Sequence, residues 1–229
     1  MAGSRSIVLV HGAWHGPWAW SKVEGPLRER GFDVHTVANP SSGPDPSALA
    51  DSYGDVEHLR GILAGIDNEV LLVAHSYGGI PVTQAAVGTD NVAHLLYVTS
   101  FMLDEGESLL SVVGGVEPDW WIKDGERSTT VTRAEEIFFN DCSPEDAEFA
   151  ASRLEPQSLP SFQQPVREVA WRGGVQSTYV ICDNDNAIPV FAQEHLSQRA
   201  GDVRRLPASH SPFLSMPDKV IEIIAELAG

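Results

Sequence analysis

The stretch Val70-Leu71-Leu72-Val73-Ala74-His75-Ser76-Tyr77-Gly78-Gly79-Ile80 limits what this chain can fold into more than any other. An apolar run of strand length stops at a serine, two glycines follow, and helix-compatible sequence continues from Ile80 to Val87. This pattern predicts a strand-to-helix turn that strains the serine backbone and presents its hydroxyl. Strand and helix nearly collide at such a turn, so the residues two before and two after the serine must be small. Ala74 and Gly78 meet that need, with Ala74 standing where the usual G-x-S-x-G pattern has its first glycine. Taken alone, the five residues fit a plain Ser-Gly-Gly loop after a buried strand about as well.

The surrounding chain tips that balance. Ser6 to Val10 is a β-branched run of buried-strand type, closed by His11-Gly12. Pro17 stands near the start of a helix that ends by Arg30-Gly31, with glycine just past the last turn. Phe32 to Val37 reads as the second strand, and the proline-rich run from Asn39 to Pro46 as a surface loop. Ser47 or Asp51 caps a helix to about Ala64, and Val92 to Thr99 is the strand after the serine turn. Strands alternating with helices imply right-handed crossovers and a parallel sheet covered on both faces.

The alternation lapses between about Leu103 and Val169. That region carries Trp120-Trp121, Phe138-Phe139, several prolines, and a helix start at Ser143-Pro144 that runs to about residue 154. It reads as a small, mostly helical cap, residues 103–169, lying over the carboxyl ends of the strands. The rhythm resumes with a strand from Thr178 to Cys182, a helix from Pro189 to about Arg199, a strand near Val203 to Leu206 and a last helix from Pro217 to Leu227. The expected fold is α/β: a mostly parallel, doubly wound sheet of about six strands, built from residues 1–102 and 170–229, with the cap inserted.

Composition narrows the partners. With 229 residues, 42% hydrophobic and 21% charged, the chain has enough apolar sequence for one sizeable core. A net charge of −17 makes nucleic acid and anionic membrane surfaces poor partners and favours a neutral ligand. Two cysteines, Cys142 and Cys182, are too few for a disulfide framework, and no apolar run reaches 18 residues. The expectation is a soluble, cytoplasmic protein without a membrane partner, whose assembly the sequence leaves open, a homodimer included.

A serine hydroxyl needs a base to take its proton and a third group to orient that base. Of eight histidines, His210 is the candidate base, because it lies in a loop between the last strand and the last helix. Loops at that end of a parallel sheet converge on the crevice where the serine turn opens. His195 and His58 read as helix surface, and His35 and His94 lie within or beside strands. The His75 side chain is expected to point away from the serine, into packing. His11 and His15 stand four apart like a metal pair, yet Gly12, Gly16 and Pro17 preclude a helix holding both on one face. No metal and no cofactor is expected. The orienting acid should follow the strand ending at Cys182, so Asp185 is favoured, Asp183 is the alternative and Asp104 a weaker third. The order Ser, Asp, His is the one α/β-hydrolases use. Two backbone donors should stabilise an oxyanion, Tyr77 N–H after the nucleophile and Ala13 N–H in the loop after the first strand.

Together, His11-Gly12-Ala13-Trp14, the serine turn, Thr99-Ser100-Phe101-Met102 and Asp141-Cys142-Ser143-Pro144-Glu145-Asp146 resemble the plant methylesterase and hydroxynitrile lyase branch of the α/β-hydrolase superfamily. The resemblance runs from Ile7 to the last helix and implies catalytic roles for Ser76, His210 and Asp185. The lyases of that branch have threonine where this chain has Gly12, and a lysine directly after the histidine, where it has Ser211. Serine cannot hold a cyanide leaving group by charge, so the esterase side is favoured. The expected activity is hydrolysis of a small, neutral, partly aromatic ester or lactone, with Trp14, Phe101, Trp120, Trp121, Phe138 and Phe139 lining its pocket beside Tyr77. Cyanohydrin lyase, polyketide cyclase or lactonase chemistry on the same residues, and a ligand-sensing role, are the alternatives.

Overall fold

A computed structural model describes residues 5–229. Six strands form the central sheet: β1 (Ser6–Val10), β2 (Val34–Val37), β3 (Val70–Ser76), β4 (Val92–Ser100), then, beyond the insertion, β8 (Gln176–Cys182) and β9 (Asp202–Leu206). Their order is β2-β1-β3-β4-β8-β9 and every pairing is parallel. Every residue of β1 and β3 is buried, which requires cover on both faces and explains why these strands read as continuous apolar runs.

The helices α1 (Ser21–Glu29) and α10 (Pro217–Ala228) pack together, as do α2 (Ser52–Leu63) and α3 (Gly79–Ala85). Val23 and Leu27 form the buried stripe of α1, and Gly31, at φ +89°, ends it. Asp51 rather than Ser47 starts α2, its carboxylate accepting from Gly54 N at 2.9 Å. The helix α8 (Val190–Ser197) packs on β8, and the short α9 (Pro212–Ser215) precedes α10.

Between β4 and β8 lie four short helices, α4 (Leu109–Val112), α5 (Ala134–Phe138), α6 (Pro144–Ala151) and α7 (Pro160–Gln163). The same segment holds a three-stranded antiparallel sheet of β5 (Trp121–Asp124), β6 (Ser128–Val131) and β7 (Gln157–Ser158). That small sheet departs from a mostly helical reading. Its strands are short, and Ile122-Lys123-Asp124 lies in the open, so the sequence carries no apolar alternation there. The cap helix α6 begins where its sequence signals, with Ser143 Oγ accepting from Asp146 N at 3.2 Å.

Candidate active site

Ser76 ends β3 in left-handed backbone, φ +50°, a conformation rare for a residue with a side chain. The crowding inferred from sequence is visible at the glycines that follow. A Cβ on Gly78 would stand 2.7 Å from His11 O and 2.9 Å from both His75 O and Val10 O. A Cβ on Gly79 would meet Phe101 O at 2.6 Å. Backbone cannot yield as a flexible side chain does, so glycine is required at both.

The register of β3 on β4 slips between His75 and Ser76, leaving Thr99 bulged at φ +37°. For a β-branched residue that is a marked outlier. It aims the Thr99 hydroxyl at Asp185, to whose Oδ2 it donates. Asp185 follows β8 and is buried. Its Oδ1 accepts from the amides of Ala187 at 2.7 Å and Ile188 at 2.9 Å, and Oδ2 lies 2.7 Å from His210 Nδ1. The carboxylate therefore selects the Nδ1–H tautomer and leaves Nε2 free to accept a proton. Gln193 on α8 anchors the same loop, its amide donating to Cys182 O at 3.1 Å and Ile188 O at 2.7 Å. Asp183 and Asp104 are elsewhere engaged: Asp183 is exposed and pairs with Arg205 at 2.6 Å, and Asp104 pairs with Arg172.

His75 is fully buried and packs, as expected, against Phe213 and His15, with ring centroids 4.7 and 5.6 Å away. Its Nε2–H donates to His210 O at 2.9 Å, holding the loop that carries the candidate base. That bond spans 135 residues, and no local pattern announces it. Burial drives the pKa of His75 well below the ordinary value, that of His15 down to about 3 and that of His11 down to about 4. The imidazole ring beside His210, that of His75 at 4.6 Å, is thus neutral. His11 Nε2 accepts from Asn39 N at 3.1 Å, and His15 Nδ1 contacts Ala13 O at 2.7 Å, so neither reaches toward a shared ion. Among the described residues no group of three or more His, Cys, Asp or Glu is disposed to hold a metal.

Ser76 and His210 line one chamber of about 40 Å³, together with Ala13, Tyr77, Trp14, Phe101, Trp120, Trp121 and Phe138. Leu109, Val113, Pro118, Ala187 and Ile188 complete the wall. Phe139 is not part of it. It is buried to one side against His15, with ring centroids 5.8 Å apart. Of that pair only Phe138 faces the chamber.

Behind the chamber runs a buried polar network that sequence reasoning missed. Asp55 Oδ2 accepts from the Tyr77 hydroxyl at 2.6 Å and Ser41 Oγ at 2.5 Å, and Oδ1 accepts from Ser41 N at 2.8 Å. Gln157 of the cap donates to Ser41 Oγ at 2.8 Å and accepts from Trp14 N at 3.2 Å. Trp14 is stitched to the cap twice more, through Nε1–H to Thr129 O at 3.0 Å and from Glu155 N to its own carbonyl at 2.9 Å. On the far side Ser209 N donates to Asp141 at 2.7 Å, Asn140 to Asn184 O at 3.0 Å and Asn186 to Glu136 O at 2.8 Å. The partners lie far apart in sequence, and no local pattern announces them.

The alpha/beta hydrolase family matches residues 7–223. The chain is 26% identical to a carbendazim hydrolyzing esterase from a Nocardioides species, covering 97% of this chain and 99% of that one. It is 26% identical to methylesterase 7 of Arabidopsis thaliana, over 98% of this chain and 96% of the relative. The crystal structure of a pyrethroid hydrolase from Sphingobium faniae JZ-2 superposes with a TM-score of 0.86 at 25% identity, covering 98% of this chain and 97% of the other.

Proposed function

As a member of the alpha/beta hydrolase family, with a mostly parallel sheet of six strands and kinship to plant methylesterases, the chain comes with a frame for acyl transfer, and we propose that it is a serine-dependent carboxylic ester hydrolase. Its substrate is a neutral, partly aromatic ester or lactone. The reading rests chiefly on one observation: His210 Nδ1 lies 2.7 Å from a buried Asp185 while His210 and Ser76 share a chamber. Relatives named as esterases and pyrethroid hydrolase support the class of bond attacked.

In this mechanism His210 Nε2 takes the Ser76 proton as Oγ adds to the ester carbonyl. Asp185 keeps the imidazole in the required tautomer and stabilises its cation. The amides of Ala13 and Tyr77 stabilise the oxyanion. His210 then returns the proton to the departing alkoxide, and water, deprotonated by the same base, releases the acid and regenerates Ser76. The aromatic walls exclude bulk water and strengthen each of these electrostatic contacts.

Cyanohydrin lyase chemistry fits this chain less well. A Cβ on Gly12 would stand 2.8 Å from His75 Nδ1 and 2.9 Å from Ser76 Cβ, leaving no room for the lyases' threonine without shifting the turn. The residue after His210 is the buried, neutral Ser211. Ser76→Ala should lower kcat on p-nitrophenyl acetate by several orders of magnitude with substrate binding largely intact. A fluorophosphonate should label Ser76, read by peptide mass spectrometry. Turnover above about a tenth of wild type in the variant, or a label elsewhere, would remove Ser76 from the role.

A further inference from the structure

The chamber at Ser76 is the tighter of two adjoining spaces, about 40 Å³ against about 330 Å³ for its neighbour, so a short group fits beside Ser76 more readily than a long one.

A second cavity, of about 330 Å³, adjoins the first and shares Phe101, Val113, Ala187 and Ile188 with it. It opens between α4 of the cap and α8 of the core. Val112 and Val113 form one wall and Phe191 and Ala192 the other, with His195 the one polar side chain among its lining residues. Phe191 is 74% exposed, and Val112 and Val113 are each more than a third exposed. Singly exposed apolar residues are ordinary, but three facing one groove make a concave apolar surface of the size small-molecule sites have. Its continuity with the chamber across Phe101 and Ile188 says what covers it.

We propose that this groove is the subsite for the longer arm of the ester, an unbranched or aromatic hydrocarbon group, and that the chamber accepts only a short group on the other side of the carbonyl. The inference rests on the reading of Ser76 as the nucleophile. It defines the substrate class as esters with one extended apolar arm, and it excludes esters extended on both sides. The groove is lined by no lysine or arginine, and the chain's net charge of −17 disfavours an anionic arm.

The test compares methyl acetate, hexyl acetate, methyl hexanoate and hexyl hexanoate by pH-stat, in wild type, Ala192→Trp and Phe191→Ser. One of the two singly extended esters should exceed methyl acetate at least tenfold in kcat/KM, and which one does so tells whether the arm is alcohol or acid. Hexyl hexanoate should fall at least severalfold below it. Ala192→Trp, which fills the groove, should cut the ratio of that ester to methyl acetate at least fivefold. Phe191→Ser, at an exposed position that the fold tolerates, should cut it severalfold. Ratios unchanged in both variants, or hexyl hexanoate turned over as fast as the better single ester, would overturn the proposal. If wild type turns over no ester at all, the hydrolase reading fails, and fluorescence titration with N-phenyl-1-naphthylamine still decides the groove. Affinity at least fivefold weaker in Ala192→Trp keeps an apolar-arm site there, and equal affinity removes it.

Discussion

Asp55 should make this protein lose stability as pH rises through the weakly acidic range, and Asp55→Asn should abolish that loss. Three donors converge on the carboxylate and favour its charge, but near-complete burial outweighs them and lifts its pKa from 3.8 to about 7. In the unfolded chain the group ionises near its ordinary value. Between pH 4 and 7 the folded state therefore holds a proton that the unfolded state has released, so stability falls with pH. The interval spans about 3 pH units at about 1.4 kcal/mol each, a relative loss of about 4 kcal/mol at neutral pH. Asparagine mimics the neutral acid, with an oxygen to accept from Ser41 N and an NH₂ to donate toward Tyr77 or Ser41. Its stability carries no such titration. Urea unfolding of both proteins from pH 4 to 8 isolates the effect, because other carboxylates cancel in the difference. Wild type should match Asp55→Asn near pH 4, fall behind by about 1.4 kcal/mol per pH unit, and level off above pH 7. A difference that stays flat with pH would mean that Asp55 is charged throughout and that its three donors outweigh burial.

Two further perturbations separate neighbours that sequence alone treats alike. Asp185→Asn should lower kcat on the order of 10³–10⁴-fold by releasing the His210 tautomer, whereas Asp183→Asn breaks only an exposed pair with Arg205 and should leave esterase kinetics near wild type. Comparable losses in steady-state assays of the two would refute the assignment. Phe139→Ala, at a buried position outside the chamber, should cost about 3–5 kcal/mol of stability without moving the substrate profile. Trp120→Ala and Trp121→Ala should instead weaken substrate binding by about 1–3 kcal/mol, read from ester-series kinetics beside melting curves.

The sheet was legible because buried parallel strands are apolar on both faces, and the serine turn because close approach at Gly78 and Gly79 admits no side chain. Chain order pointed to His210 and narrowed the acid to the loop after the strand ending at Cys182, since strand ends in such a sheet converge, while Asp185 was preferred to Asp183 only by spacing and resemblance. What escaped has a common cause. Thr99 meets Asp185 where a register slip turns it, and His75 meets His210 O across 135 residues. Asp55, Ser41, Tyr77 and Gln157 meet across more than a hundred residues, and long-range polar contacts leave no periodic trace. The small sheet was lost because β5 is mostly exposed and β7 is only two polar residues long, so neither carries strand alternation.

Trp14 donates to Gln157 and Thr129 and accepts from Glu155, while Asp141, Asn140 and Asn186 tie the opposite rim to the loops bearing His210 and Asp185. Lifting this segment would break six hydrogen bonds at once, each worth about 1 kcal/mol net, which makes a raised state about 10⁴-fold rarer than the fastened one. For the ester hydrolysis proposed above, the mouth between α4 and α8 is a way in and out that leaves those six bonds intact, open to side-chain rotations on nanoseconds where lifting the roof would be a collective motion of microseconds to milliseconds.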